Sequence, residues 1–585
     1  LDGGAPLVLF DRSGNYSSST TTTMVLSPAN NFKVGIQSLL VDGAYSKDPV
    51  LACGVHRLVD SIPSGWVHDT VLVGGEGIQK TVALWGETMR QLYGKERAAA
   101  DADPVASKLG YWLSPVSAGE EALRGLRKYH VSSQVPVGYY GLDSGWYKTS
   151  TGTDSHNRNL VEWEAESSVF PSGLGTVQQD VLRGVPMMLH GGCFSSHNVY
   201  QQRFPFVIEG DLALPVEPEV QSMFEFLMRH HLEWGMAVYQ QGCLGPQFLG
   251  MNATTRSVTV ARDWMLGLGR AAKNLGTTVH LSMPLPSDFL QSLEVPAVTS
   301  IQCSQDTPAS GKSQWRIGQT TMLAWAVGLR PSTASFVTMS KEGGEPNPEL
   351  QAIVAALSAG SFRIADPVGR TNLTVVSGTC RGDGVLLKPD QPAMAIDATF
   401  LEGGPQGEVW STHTTVWGHR WTYVFVADLK EPFVLRPSHV DLPPHPIPGD
   451  PSSYWYLYDT LSFSRIRRFS DKEPWTIPAA PTDPVSGRTG FALYTIVAAL
   501  PESEGWTLLG EPRKYVPVSA QRFQAVRGIG EGMGMRLLGA PGETIQIAVK
   551  NDREIMLVSC TVPSTQDWVT LTVNSNGHTC APVAH

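Results

Sequence analysis

The sequence predicts a multidomain α/β plus β protein, with a central (β/α)8 TIM barrel flanked by N-terminal and C-terminal β-sandwich domains. Three observations carry this. The chain has 585 residues, too many for one ordinary core and enough for a barrel of roughly 250 residues with smaller partners. Between residues 107 and 370, compact apolar runs alternate with helical stretches, the rhythm of βα units on a parallel sheet. On either side, short alternating runs punctuated by Gly and Pro read as antiparallel β-structure. The expected boundaries are 1–106, 107–370 and 371–585.

Taken in order, the first segment carries alternating runs such as Val34-Gly-Ile-Gln-Ser-Leu-Leu-Val and Trp66-Val-His-Asp-Thr-Val-Leu-Val, then a helix near 79–93. Eight apolar runs follow, starting at Leu109, Val135, Val185, Trp234, Thr278, Val298, Pro331 and Gly360. Eight is the strand number that a (β/α)8 barrel requires. Ser117-Ala-Gly-Glu120 has the spacing of a capping box for a helix running to Tyr129. Trp264, Leu268, Ala271 and Leu275 share one face of a helix from Arg262 that Gly276 terminates. A further helix spans Glu349 to Leu357. Beyond about 370 the alternating pattern returns and persists.

Composition excludes some partners. Net charge is −10 without a long Lys/Arg run, so a surface that tracks nucleic-acid phosphates is not expected. No apolar stretch reaches the roughly 20 residues of a membrane span. The start at Leu1 and three sequons, at Asn15, Asn252 and Asn372, predict a mature secreted glycoprotein in the extracellular space. Seven Cys is an odd number, consistent with disulfides plus at least one further thiol. Cys560 and Cys580 are expected to clip a final hairpin. Cys193, Cys243 and Cys303 end three predicted strands and are expected to give one disulfide and one buried thiol, because no Cys-x-x-Cys or His-x-x-x-His spacing supports a metal. No cofactor is expected. Gly267-Leu-Gly-Arg lies within a helix rather than at a strand–helix turn, so it is no dinucleotide fingerprint. Arg381-Gly-Asp383 reads as hairpin chemistry.

In such a barrel, functional side chains project from the C-terminal ends of the strands. Asp143 ends the second run, His190 the third and Asp306 the sixth. Trp112, Trp146, Tyr147, Trp234 and Tyr239 are expected to put aromatic faces near the same mouth, suited to the apolar faces of sugar rings. The bland readings are a helix cap for each carboxylate and a satisfied core residue for His190.

Several motifs carry a resemblance. Leu109-Gly-Tyr-Trp, Tyr139-Tyr-Gly-Leu-Asp-Ser-Gly-Trp-Tyr147, Phe170-Pro-Ser-Gly-Leu174, Leu189-His, Leu232-Glu-Trp-Gly235, Met283-Pro-Leu-Pro, Gln291-Ser, Cys303-Ser-Gln-Asp306 and Leu386-Leu-Lys-Pro-Asp-Gln-Pro-Ala393 resemble the α-galactosidase and raffinose-synthase-like branch of clan D glycoside hydrolases. The resemblance spans most of residues 107–400. It implies a retaining mechanism through two aspartates, with Asp143 binding substrate hydroxyls and Asp306 as acid/base. The family nucleophile ends the fourth strand. This chain has Tyr239-Gln-Gln-Gly242 there, so Gly242 holds the nucleophile position, and Gln302 stands where relatives often carry Arg.

Glycine has no side chain with which to attack an anomeric carbon, and Gln240 or Gln241 can hydrogen-bond a sugar without forming a glycosyl ester. The expectation is therefore a secreted protein that binds a carbohydrate in the barrel cleft with impaired catalysis. Two alternatives stay open. An active α-glycosidase would pair Asp306 with another carboxylate, such as Asp211, Glu209 or Asp263. An extracellular structural subunit would self-associate through its β-domains and odd Cys. If Asp306 and the sugar subsites are intact and the new side chain fits beside Cys243, Gly242→Asp is expected to recover some turnover.

Overall fold

The structure is a computed structural model that describes residues 4–13, 21–40, 50–113, 119–150, 159–304, 314–340, 345–447, 450 and 453–581. Its centre is an eight-stranded parallel sheet. The strands are β1 (Leu109–Leu113), β2 (Tyr139–Leu142), β3 (Met187–Gly191), β4 (Met236–Gln241), β5 (Thr278–Leu281), β6 (Val298–Gln302), β7 (Arg330–Ser332) and β8 (Phe362–Ile364). From β1 to β7 each strand pairs in parallel with its neighbour in sequence. Arg363 pairs with Gly110, joining β8 to β1. A parallel bridge from Phe336 to Ile364 links the segment after β7 to β8, so the sheet closes on itself.

Alternation along each strand decides what faces the lumen. In β4, Tyr239 packs on Phe224 of the covering helix Val220–Glu233, whereas Val238 clusters with Trp112, Tyr139 and Met188. Even-numbered residues of β4 therefore point inward. Register carries this face around the barrel: His190 opposes Gln240, Gln240 opposes His280, and His280 opposes Ser300. Two glycines make room for rings from neighbouring strands. A Cβ on Gly110 would collide with the Tyr139 ring, and one on Gly141 with the Trp112 ring.

The helix Val260–Leu275 stops at Gly276, whose φ of 69° is the left-handed conformation of a C-cap. The helix Glu120–Ser132 begins after Gly119 rather than through the expected capping box. Ser117 lies outside the described residues, and the Glu120 carboxylate instead accepts from the amide and hydroxyl of Ser172. Arg381-Gly-Asp383 forms a turn in which Arg381 donates to Asp383 at 2.7 Å.

Before the barrel lie a three-stranded antiparallel sheet, a two-stranded hairpin and the helix Ile78–Tyr93. The amides of Ile78 and Gln79 donate to the Asp397 carboxylate at 2.7 and 2.9 Å, so the cap comes from far along the chain. Lys33 forms a buried ion pair with Asp288 after β5, at 2.5 Å. Removing one partner of such a pair typically costs about 3–5 kcal/mol, because the other charge is stranded. These contacts fix the N-terminal segment to the barrel.

After the barrel come a six-stranded sheet with a two-stranded companion, then a three-stranded and a four-stranded sheet, each antiparallel. Buried Arg522 joins Glu511 and Glu543 at 2.8 and 2.6 Å. Cys560 and Cys580 are bonded, with Cα atoms 5.8 Å apart. Cys560 belongs to the three-stranded sheet and Cys580 to the four-stranded one. The bond therefore staples two sheets instead of clipping a single hairpin.

Candidate functional site at the barrel mouth

The C-terminal rim is assembled from strand ends. Asp143, one residue beyond β2, accepts from Trp112 Nε1 at 3.1 Å and from the amide of Ser144 at 2.7 Å. Trp112 lies on the lumen face of β1, with the Arg363 guanidinium 5.0 Å from its ring centroid. This orients both the indole and the carboxylate that it holds. The Asp143 charge in turn opposes ionisation of Tyr147, whose phenol burial already pushes far above its usual range.

His190, near the end of β3, carries the next polar group. Its Nδ1 lies 3.4 Å from the Tyr147 hydroxyl, and the two rings are parallel with centroids 6.3 Å apart. The other edge of the imidazole lies over β4. A Cβ on Gly242 would come closer to His190 Nε2 than real Cβ atoms approach, and would be 3.1 Å from Cε1. Gly242 thus leaves the end of β4 without a side chain, and a neighbour fills the adjoining space.

The backbone there is tightly held. Gly242 donates its amide to Gly191 O at 2.9 Å. Cys243 follows with φ 60° and is bonded to Cys193, Cα to Cα 5.4 Å. That disulfide ties the ends of β3 and β4 together. Cys303 remains a thiol, and burial raises its pKa far above the ordinary range.

Several expected ligand-facing residues are placed elsewhere, for identifiable reasons. Tyr239 points outward by alternation and donates its hydroxyl to Gln241 Oε1 at 3.0 Å. Gln241 spends its Nε2 on Gly242 O at 2.7 Å, so its amide is occupied by its own strand, and Gln240 is the glutamine on the lumen face. Trp146 is 1 % exposed, packed edge-on against Trp163 and His231, and donates to His190 O. Trp234 precedes β4, at the barrel's opposite end. Of the five aromatics expected at the mouth, Trp112 faces the lumen and Tyr147 packs against the rim residue His190, whereas Trp146, Trp234 and Tyr239 are placed elsewhere. Gln302 accepts from Ser282 Oγ at 3.2 Å and donates to Ser304 O at 2.9 Å.

The substitute carboxylates are also accounted for. Glu209 accepts from the amides of Asn252 and Ala253 at 2.6 and 2.7 Å and so caps a short outer helix. Asp263 sits on an outer helix beside Arg262. Asp211 is in the turn between the strands Phe206–Glu209 and Leu212–Pro215, where its carbonyl accepts from Ser196. None of these three ends a barrel strand. Asp306 lies outside the described residues, as does Asn15. Asn252 is exposed, and Asn372 uses its Oδ1 to cap the helix Leu373–Ser377.

One rim carboxylate was not singled out from the sequence. Asp366 follows β8, and its oxygens accept from the amide and hydroxyl of Thr338 at 2.6 and 2.9 Å. Burial raises its pKa despite those bonds. The strand-end filter that selects Asp143 would have found it. Among the described residues, no cluster of three or more His, Cys, Asp or Glu side chains could hold a metal ion.

A closed parallel barrel with a polar rim and flanking antiparallel sheets is the architecture of many glycoside hydrolases, and solved structures bear out this class of fold. The chain aligns with a GH27 β-L-arabinopyranosidase from Geobacillus stearothermophilus at TM-score 0.50 and 11% identity, over 69% of this chain and 98% of that one. A GH36 α-galactosidase from the same organism aligns at TM-score 0.47 and 12% identity, over 85% of this chain and 72% of that one. A GH31 dextranase from Flavobacterium johnsoniae aligns at TM-score 0.47 and 9% identity, over 94% and 67%. At such identities the likeness is one of fold. No model of a protein family matches the chain, and neither does any curated protein.

Proposed function

We propose that this protein is a glycosidase-like barrel that binds a glycan at its mouth without retaining hydrolysis. The observation that carries the reading is the packing of His190 against Gly242. A retaining glycosidase needs two carboxyl groups about 5 Å apart, one of which attacks the anomeric carbon. The end of β4 offers neither a carboxylate nor space for one while His190 keeps its place.

Asp143 and Trp112 are the binding residues in this reading. A carboxylate anchored by an indole N–H suits a pair of sugar hydroxyls, and its alignment requires no reorganisation when ligand arrives. Gln240 and His190 extend the polar rim. The disulfides Cys193–Cys243 and Cys560–Cys580 support an oxidising, extracellular setting.

Calorimetric titration with a panel of neutral oligosaccharides tests binding. Asp143→Asn should weaken the best ligand about 10- to 100-fold, the worth of one or two hydrogen bonds to a charged group. Equal affinity in the wild type and in Asp143→Asn, or no binding across the panel, would contradict the reading.

A further inference from the structure

Beneath the rim, the barrel lumen collects polar atoms that the protein itself leaves unpaired. Arg363 Nε and His280 Nε2 are buried without a hydrogen-bond partner among the described residues, and the Tyr139 and Ser361 hydroxyls beside them have no partner beyond each other. The side chains that carry them are 3, 0, 2 and 0 % exposed. Buried polar groups in native proteins are almost always satisfied, so two unpaired donors of this kind beside two hydroxyls point to a bound species.

Geometry brings the four together. Arg363 on β8 and Ser361 just before that strand point to the same side, since they are two residues apart, and Arg363 opposes Gly110. The Tyr139 ring crosses over Gly110 and reaches toward the same strand. His280 enters from β5 and is oriented by Ser300, whose hydroxyl is 2.8 Å from Nδ1. Nδ1 is thus engaged by Ser300, which leaves Nε2 as the ring nitrogen that can meet a species in the lumen. Burial lowers the His280 pKa and raises that of Tyr139, and the Arg363 charge adds to the first shift and opposes the second, so it reaches both groups.

The character of the cluster is that of a donor set. A guanidinium cannot lose its proton in a protein, and burying it without a counter-ion is costly. Arg363 donates to a backbone carbonyl, Thr333 O, at 3.0 Å and lies over the Trp112 ring. No ion pair of Arg363 with a carboxylate occurs among the described residues. Asp103, the carboxylate whose charge also reaches Tyr139, is held by the amide of Ala106 and the hydroxyl of Thr278. An eight-stranded barrel interior is filled by its own side chains or holds one small ligand, which restricts the occupant to a single small ion or molecule.

We propose that the lumen binds a small inorganic anion of halide size, held by Arg363 Nε–H, the Tyr139 and Ser361 hydroxyls and His280 Nε2. Trp112 is the shared wall between this site and Asp143 above it.

The test compares thermal unfolding in sodium chloride, sodium bromide and sodium gluconate at equal ionic strength, since gluconate is too large to enter. The melting temperature should rise with halide concentration and stay flat in gluconate. Arg363→Met should abolish the halide response. Should that variant not fold, Tyr139→Phe combined with Ser361→Ala should move the response to higher halide concentration. Diffraction from bromide-soaked crystals should place an anomalous peak within hydrogen-bonding reach of Arg363 Nε. Equal melting in chloride and gluconate with no bromide peak would mean that water fills the lumen, and would overturn the proposal. A halide response unchanged in the foldable variants would place the anion elsewhere and overturn it equally.

Discussion

The imidazole of His190 occupies the volume that a side chain on Gly242 would need. The absence of a side chain at Gly242 on β4 and the position of the His190 ring from β3 therefore go together. Reversing the first without the second meets a steric obstacle.

Gly242→Asp alone should not restore glycosidase turnover, contrary to what the sequence leads one to expect. The new side chain must displace His190 and its contact with Tyr147, an overpacking that costs about 1–3 kcal/mol. Gly242→Asp combined with His190→Ala should recover stability relative to the single variant. Thermal melts of the two variants, read beside release from an aryl glycoside, check this. Turnover in Gly242→Asp with no loss of stability would show that His190 yields freely.

The bond between Cys193 and Cys243 closes a loop of 50 residues. Chain-entropy arguments make such a cross-link worth about 4 kcal/mol. Cys193→Ser with Cys243→Ser should lower the melting temperature and also weaken ligand binding, because the loop ends at the rim. Unfolding measured with and without the pair, alongside titration of ligand, gives both numbers. Lower stability with unchanged affinity would confine the bond to a scaffold role.

Stability should fall as pH drops from 6.5 toward 4, in part through buried histidines. Burial, with a smaller push from Arg127, lowers His130 to about 4. Burial likewise takes His413 to about 4 and His231 to about 3. In that window the unfolded chain takes up protons that the native protein refuses, so stability rises with pH. Each histidine contributes up to about 1.4 kcal/mol per pH unit. Denaturant titrations at several pH values should show a shallower fall for His130→Phe, by about one proton. Parallel slopes would contradict burial as the cause.

Much of the architecture was legible in the chain. All eight apolar runs overlap barrel strands, because the face of each strand that the helices cover must be apolar. The helix ending at Gly276 was equally plain, its stop set by a residue that tolerates positive φ. The site was less so. Which aromatics face the lumen depends on strand parity, and a one-residue change of register exchanges Tyr239 for Gln240. The collision between His190 and Gly242 joins residues 52 positions apart on neighbouring strands, which periodicity within a segment does not report. The sheet partners of Cys560 and Cys580 were hidden for the same reason.

The most direct measurement is product release from a panel of aryl α-glycosides and natural oligosaccharides, made on wild-type protein and on Asp306→Asn. General acid catalysis is worth about 10²–10⁴-fold and does not replace a missing covalent route. The account predicts saturable binding of at least one glycan, with release absent or orders of magnitude below that of an enzyme with both aspartates. Robust wild-type turnover that Asp306→Asn abolishes would contradict it, and would require a second carboxylate at the rim that acts without Gly242.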